Sequence, residues 1–178
     1  MFKEERDYNK FTWKDLGDIE EGRPNLGSTV PVLAYRLLQY TLRDVLIADL
    51  GVGRANDILV KAGRLAGAQF CEHLLDRRLG FNEFVAQLQR VLREQSIGIL
   101  RIETADMEQA RFVLTVAEDL DCSGLPFTDE VVCTYDEGFI AGIFEAYTGK
   151  PFQVKEIDCW ANGDRVCRFD AREVRVDR

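Results

Sequence analysis

The sequence predicts an α+β domain in which helices pack on an antiparallel sheet, and three observations carry that expectation. Apolar residues recur at helical spacing through most of residues 31–93. Two runs that follow, IGILRIETA and RFVLTVAEDL, are short, rich in β-branched residues and partly alternating. Near the C-terminus, Asn162-Gly163 separates two alternating runs, the strongest short hairpin signal a sequence carries. Helices, then strands, then a helix and a hairpin fit helices segregated onto an antiparallel sheet.

Taken in order, residues 1–29 mix charge with the turn-forming stretch GRPNLGS and show no sustained period. They read as an N-terminal arm, and Phe11, Trp13 and Leu16 within it suit a place at a dimer interface. The domain proper is expected over residues 30–178. Its first helix starts at Pro31, a residue suited to a first helical turn, and carries Leu33, Leu37, Tyr40 and Leu38, Thr41, Val45 as an amphipathic pattern. A second helix over about Ala55 to Leu75 turns Ile58, Ala62, Leu65, Ala66 and Phe70 inward, with Gly63 and Gly67 admitting a close neighbour. A third covers Asn82 to Arg93. The two strands follow, joined by a polar turn at Asp106 to Gln109. Asp129 is the expected N-cap of a fourth helix from about Glu130 to Thr148, which buries Cys133, Phe139, Ile140, Ile143, Phe144 and Tyr147 and stops at Gly149.

At 178 residues and 46% apolar composition the chain is long enough for one well-buried core. Its net charge of -8, from 31 acidic and 23 basic residues, disfavours a nucleic-acid backbone or an anionic membrane as partner. The charged N-terminus and the lack of any apolar run of ~18 residues predict neither signal peptide nor membrane span, hence a cytoplasmic protein. In that compartment five cysteines are expected to be free or metal-bound.

The hairpin brings Cys159 and Cys167 together across its two strands, and the helix packed on it can add Cys133 from its first turn, where the helix dipole favours a thiolate. Zinc takes such thiolates in tetrahedral geometry. The fourth position is open to Glu156, Asp158 or Cys122. Lys155, Arg165 and Arg168 are at hand to balance a negative site.

The stretch CWANGDRVCRF, Cys159 to Phe169, resembles the C-terminal signature of the 4-vinyl-reductase-type domain, a small-molecule-binding family. Cys133, Glu156, Cys159 and Cys167 further resemble the zinc ligands of the sensor domains of phenol- and xylene-responsive transcription activators, which makes Glu156 the preferred fourth ligand. The likeness covers roughly Asn25 to Ala171. It implies a fold akin to trafficking-complex subunits and to haem-associated nitric oxide sensors, a small apolar ligand cavity, and dimerisation. No ATPase or helix-turn-helix segment accompanies it, so direct control of transcription by these residues is not expected.

The expected function is therefore a zinc-stabilised cytoplasmic sensor domain. It would bind a small apolar or aromatic molecule and signal through a homodimer. Phe70, Phe112, Tyr135, Phe139, Phe144, Tyr147 and Trp160 are the candidate lining residues, and Tyr135 or Trp160 can donate a hydrogen bond to the ligand. Enzymatic activity is not expected, because His73 is the only histidine, no nucleotide loop is present, and zinc with four protein ligands has no open position for substrate. The alternatives are an assembly subunit of the trafficking-complex type and a relative of a tetrapyrrole vinyl reductase.

Overall fold

A computed structural model describes residues 11–174, so the first ten residues of the expected arm and the last four of the AREVRVDR ending lie outside the described residues. The described elements run in the order α1 (Ile19–Gly22), α2 (Val32–Leu50), α3 (Val52–Leu74), α4 (Phe81–Glu94), β1 (Ile99–Asp106), β2 (Arg111–Ala117), α5 (Thr134–Thr148), β3 (Phe152–Asp158) and β4 (Cys167–Glu173). Every strand pairing is antiparallel, in the order β1-β2-β4-β3. The mixed helix and antiparallel-sheet class expected from the sequence is therefore what the chain adopts.

Side-chain alternation decides which residues of the sheet face the helices. In β4 the residues Cys167, Phe169 and Ala171 point inward, paired with Val116, Leu114 and Phe112 of β2. On the other side of β4, Phe169 pairs with Glu156 and Ala171 with Val154 of β3. One parity thus carries both Cys167 and Glu156 to the buried face. Phe84, Leu88, Val91 and Leu92 of α4 cover the β1 and β2 side, while Ile143 and Phe144 of α5 complete the core.

The pairing of α3 with α5 rests on glycine. Gly63 and Gly67 of α3 meet the backbone of Tyr135 and Phe139, and Gly138 and Gly142 of α5 meet that of Val60 and Arg64. A Cβ at any of the four would land on a carbonyl oxygen. This corrects the expected inner face of α3: Gly63, Gly67, Phe70 and Cys71 are buried, while Leu65 and Ala62 are exposed, because backbone contact leaves no room for leucine at the crossing.

Helix α2 has its amphipathicity turned outward. Tyr35, Arg36, Gln39, Tyr40 and Arg43, at i, i+3/i+4 spacing, grip the rest of the domain through hydrogen bonds. Leu33, Leu37, Leu38, Leu42 and Val45 are exposed, and no residue of α2 is buried. In the lead-in, Trp13 stacks on His73 of α3 with ring centroids 4.8 Å apart and donates its backbone N–H to Gln69. The lone histidine is thus a packing surface.

Two further differences bear on the site. Helix α5 starts at Thr134 with Cys133 as its N-cap, and Asp129 sits at φ 58 in the preceding loop. Asn162-Gly163 does not form a two-residue turn. Trp160–Asn162 is a 3-10 turn inside a longer connection, closed by Gly163 at φ 107, and the Asn162 side chain accepts the Cys159 N–H at 3.1 Å. No described helix is long and apolar enough to cross a membrane.

Candidate metal centre and cavity

Four cysteines meet where the loop after β2, the start of α5 and the base of the β3–β4 hairpin converge. Cys122, Cys133, Cys159 and Cys167 are fully buried, and their sulfurs lie within 4.8 Å of one another. Cys133 Sγ is 3.9 Å from Cys159 Sγ and 3.8 Å from Cys167 Sγ, and Cys122 Sγ is 2.9 Å from Cys167 Sγ. Tetrahedral zinc with Zn–S bonds of ~2.3 Å requires sulfur pairs about 3.8 Å apart. Two of the three distances meet that value, so the donor set fits a metal ion. All five cysteines are free, and the fifth, Cys71, is buried in α3, where loss of solvent pushes its thiol up to about 11.

Each sulfur has its own scaffold. Cys167 is placed by strand parity, Cys159 by the bend after the β3 bulge at Glu156/Asp158, and Cys133 by the N-terminus of α5. Cys122 comes from the 118–133 loop, and the loop is anchored by α2. Arg36 donates to the carbonyls of Leu120, Asp119 and Ser123, while Tyr35 and Gln39 donate to the Asp121 carboxylate at 2.7 and 2.5 Å. Thr128 and Asp129 N–H groups tie the loop's far end to Ala161 O in the hairpin turn.

The thiols share protons unequally. Hydrogen bonds from Cys122, Cys133 and Cys167 hold Cys159 far below the usual thiol range, so it is the thiolate of the group. Cys133 is held high by those same sulfur contacts, from Cys122 first, together with burial, and this outweighs the helix dipole expected to lower it. Metal binding displaces the remaining thiol protons.

Glu156 lies outside the sulfur group. Its Oε2 accepts the Cys133 N–H at 3.1 Å, and its Oε1 is buried without a partner. Burial, and then the charge on Cys159, push its carboxyl up to about 8. The expected balancing cations are engaged elsewhere or exposed: Lys155 pairs with Glu137 at 2.8 Å, Arg168 with Glu103 and Asp158, and Arg165 is exposed. Arg36, on the Cys122 loop, and Arg43, which donates to Thr134 beside Cys133 at 2.8 Å, take that place. Sequence reading missed α2 here because its arginines lie some eighty residues from what they grip.

Beside the cluster is an apolar cavity of about 40 Å³. Its walls come from Phe84, Val85, Leu88 and Leu92 of α4, Ile97, Leu100 and Ile102, Leu114 and Val116 of β2, and Phe139, Ile140, Ile143 and Phe144 of α5. Of the seven residues expected to line a pocket, Phe139 and Phe144 do so. Phe112 and Phe70 pack behind them, with centroids 4.9 Å from Phe144 and 5.2 Å from Phe139. Tyr147 stacks on Phe84 at 3.9 Å and donates to Leu79 O, Tyr135 lies 6.5 Å from Phe139, and Trp160 sits in the hairpin turn. The expectation favoured aromatics; the walls are mostly aliphatic residues whose periodicity reads as ordinary core.

Two carboxylates complete the lining, Asp119 and Asp136. Each stands three residues from a cluster cysteine, and their oxygens lie within 4.8 Å of Cys133 Sγ. Asp119 Oδ1 accepts the N–H groups of Asp121 and Cys122 at 2.8 and 3.1 Å, and burial beside Asp121 pushes its pKa up to about 7. Asp136 is raised by burial and by the charges of Asp121 and Asp119, and its Oδ2 is buried with no hydrogen-bond partner.

The family model for the 4-vinyl-reductase domain matches residues 112–173. An uncharacterized protein of Methanocaldococcus jannaschii is 32% identical over 109 residues, which are 61% of this chain and 54% of that protein. The match thus spans about half that relative's length. A vinyl-4-reductase family protein from the same organism superposes with a TM-score of 0.61 at 14% identity, covering 96% of this chain and 100% of that one. The phenol-responsive sensory domain of the transcription activator PoxR, solved with phenol, gives a TM-score of 0.61 at 16% identity over 83% of this chain and 76% of that one. These likenesses establish a shared fold.

Proposed function

We propose that this chain, whose residues 112–173 match the 4-vinyl-reductase domain, is a zinc-stabilised, non-enzymatic sensor domain spanning about residues 30–178, which binds a small, mostly apolar molecule and signals through a homodimer. The observation that carries the reading is the juxtaposition of an apolar cavity with a four-sulfur cluster, in the fold of a phenol-responsive sensory domain. Zinc is favoured by the all-sulfur donor set and the ~3.8 Å spacing, and by five free cysteines consistent with a reducing cytoplasm. Four sulfur ligands would fill its shell, so bound zinc would serve architecture, tying the Cys122 loop and the α5 N-terminus to the hairpin.

The cavity, at about 40 Å³, is well below the ~150 Å³ that accepts benzene in an engineered core. An aromatic occupant must therefore displace wall residues, of which Phe139 and Ile140 are only half-buried. A ligand that binds the expanded state more tightly than the closed one shifts the population between them, which is what a sensor needs. Helix α5 carries both those residues and, at its N-cap, Cys133. The exposed leucine face of α2 supports dimerisation, since an apolar patch of that extent is costly in water.

Native mass spectrometry of protein purified without chelator tests the reading. A dimer with one zinc per chain and saturable uptake of small aromatics is expected. A monomer, a metal content well below one per chain, or no saturable uptake would each remove the corresponding part.

A further inference from the structure

Among the groups lining the cavity, Asp136 is singular. It belongs to the first turn of α5, among apolar neighbours, and its buried Oδ2 receives no hydrogen bond. The other carboxylates nearby are occupied: Asp119 by two loop N–H groups, and Asp121 by Tyr35 and Gln39. Buried acceptors are nearly always paired, so an idle one on a cavity wall is an acceptor waiting for a donor. The surroundings also select by charge. Asp119, Asp121, Glu156 and Cys122 all lie close enough to Asp136 to act on it, which makes this end of the cavity hostile to an anion.

We propose that Asp136 anchors the cavity's occupant, a small apolar molecule bearing a hydrogen-bond donor, either a hydroxyl or an ammonium. An acid of the same shape is excluded. This rests on the sensor reading above and sharpens it from an apolar ligand to one with a donor head. It also gives Asp136 a part in coupling, because the anchor sits three residues from Cys133 on the helix whose wall must move.

Isothermal titration calorimetry of the full zinc-loaded chain with benzene, phenol, benzylamine and benzoate tests it, because the four share one body and differ in the head. Phenol or benzylamine should bind at least about tenfold more tightly than benzene, as a hydrogen bond to a charged or polar buried acceptor provides, and benzoate should bind most weakly. The two donors separate a neutral from a cationic head. Asp136→Leu should keep benzene binding and erase the preference, while Asp136→Asn should lose the preference for benzylamine even if the leucine variant does not fold. Benzene binding as tightly as both donors, or the preference surviving in the variants, would overturn the anchor and leave the sensor reading standing. No uptake of any of the four would sink both.

Discussion

Replacing Cys122 or Glu156 decides which of them completes the metal site. A structural zinc site of four thiolates holds its metal with an apparent ~10–16 kcal/mol, so one ligand of four accounts for roughly 2.5–4 kcal/mol if the contributions are equal. That corresponds to a loss of ~10²–10³ in affinity. Cys122 is fully buried and its sulfur lies 2.9 Å from that of Cys167, so Cys122→Ala should show the whole loss. Glu156 instead orients Cys133 through the 3.1 Å bond to its N–H. Glu156→Gln keeps an acceptor there and should cost no more than the ~10–100-fold typical of a residue that supports a ligand. Competition against a chromogenic chelator, with zinc counted per chain, measures both. If Glu156→Gln releases zinc as readily as Cys133→Ala while Cys122→Ala retains it, the carboxylate is the ligand and the sulfur geometry has misled.

The glycine crossing should be intolerant where the helix ends are not: Gly67→Ala or Gly142→Ala places a methyl on a carbonyl of the facing helix and should destabilise the domain by ~2–3 kcal/mol or more. Gly53→Ala, in α3 with open space around it, should stabilise by ~0.5–1 kcal/mol, and urea unfolding that ranks the variants otherwise would refute the packing account. Asp170, buried between Arg172 and Arg111, is held well below the usual carboxylate range. Because its folded pKa lies below the unfolded value, its stabilisation is complete above about pH 4 and is lost as pH falls through the folded pKa. Asp170→Asn should therefore cost ~1–2 kcal/mol at neutral pH, a modest figure because both arginines are about half exposed, and the gap should close in acid; a gap that persists at pH 2 would exclude the ion pairs as its cause.

The element order was legible because each element signals locally. The helices α2 to α4 and all four strands fall within a few residues of where periodicity and β-branching put them. Cys159 and Cys167 could be paired from the hairpin alone, and a family resemblance added Cys133. Other features needed the tertiary structure. Asp129 has the chemistry of an N-cap, but the Cys122 loop occupies its segment and postpones α5 to Thr134. Cys122 reaches the cluster only because α2, more than eighty residues earlier, holds its loop through Arg36, Tyr35 and Gln39.

By itself, then, the sequence determined local quantities: the α+β class, the strand parity that turns Cys167 and Glu156 inward, and the thiol-rich C-terminal region. The tertiary structure decided which donor joins three sulfurs, which face of α2 is left bare, and which acidic side chain ends up idle on a cavity wall. Periodicity and turn chemistry act over a few residues, whereas a metal shell and a cavity are closed by groups whose separation along the chain carries no trace of their separation in space.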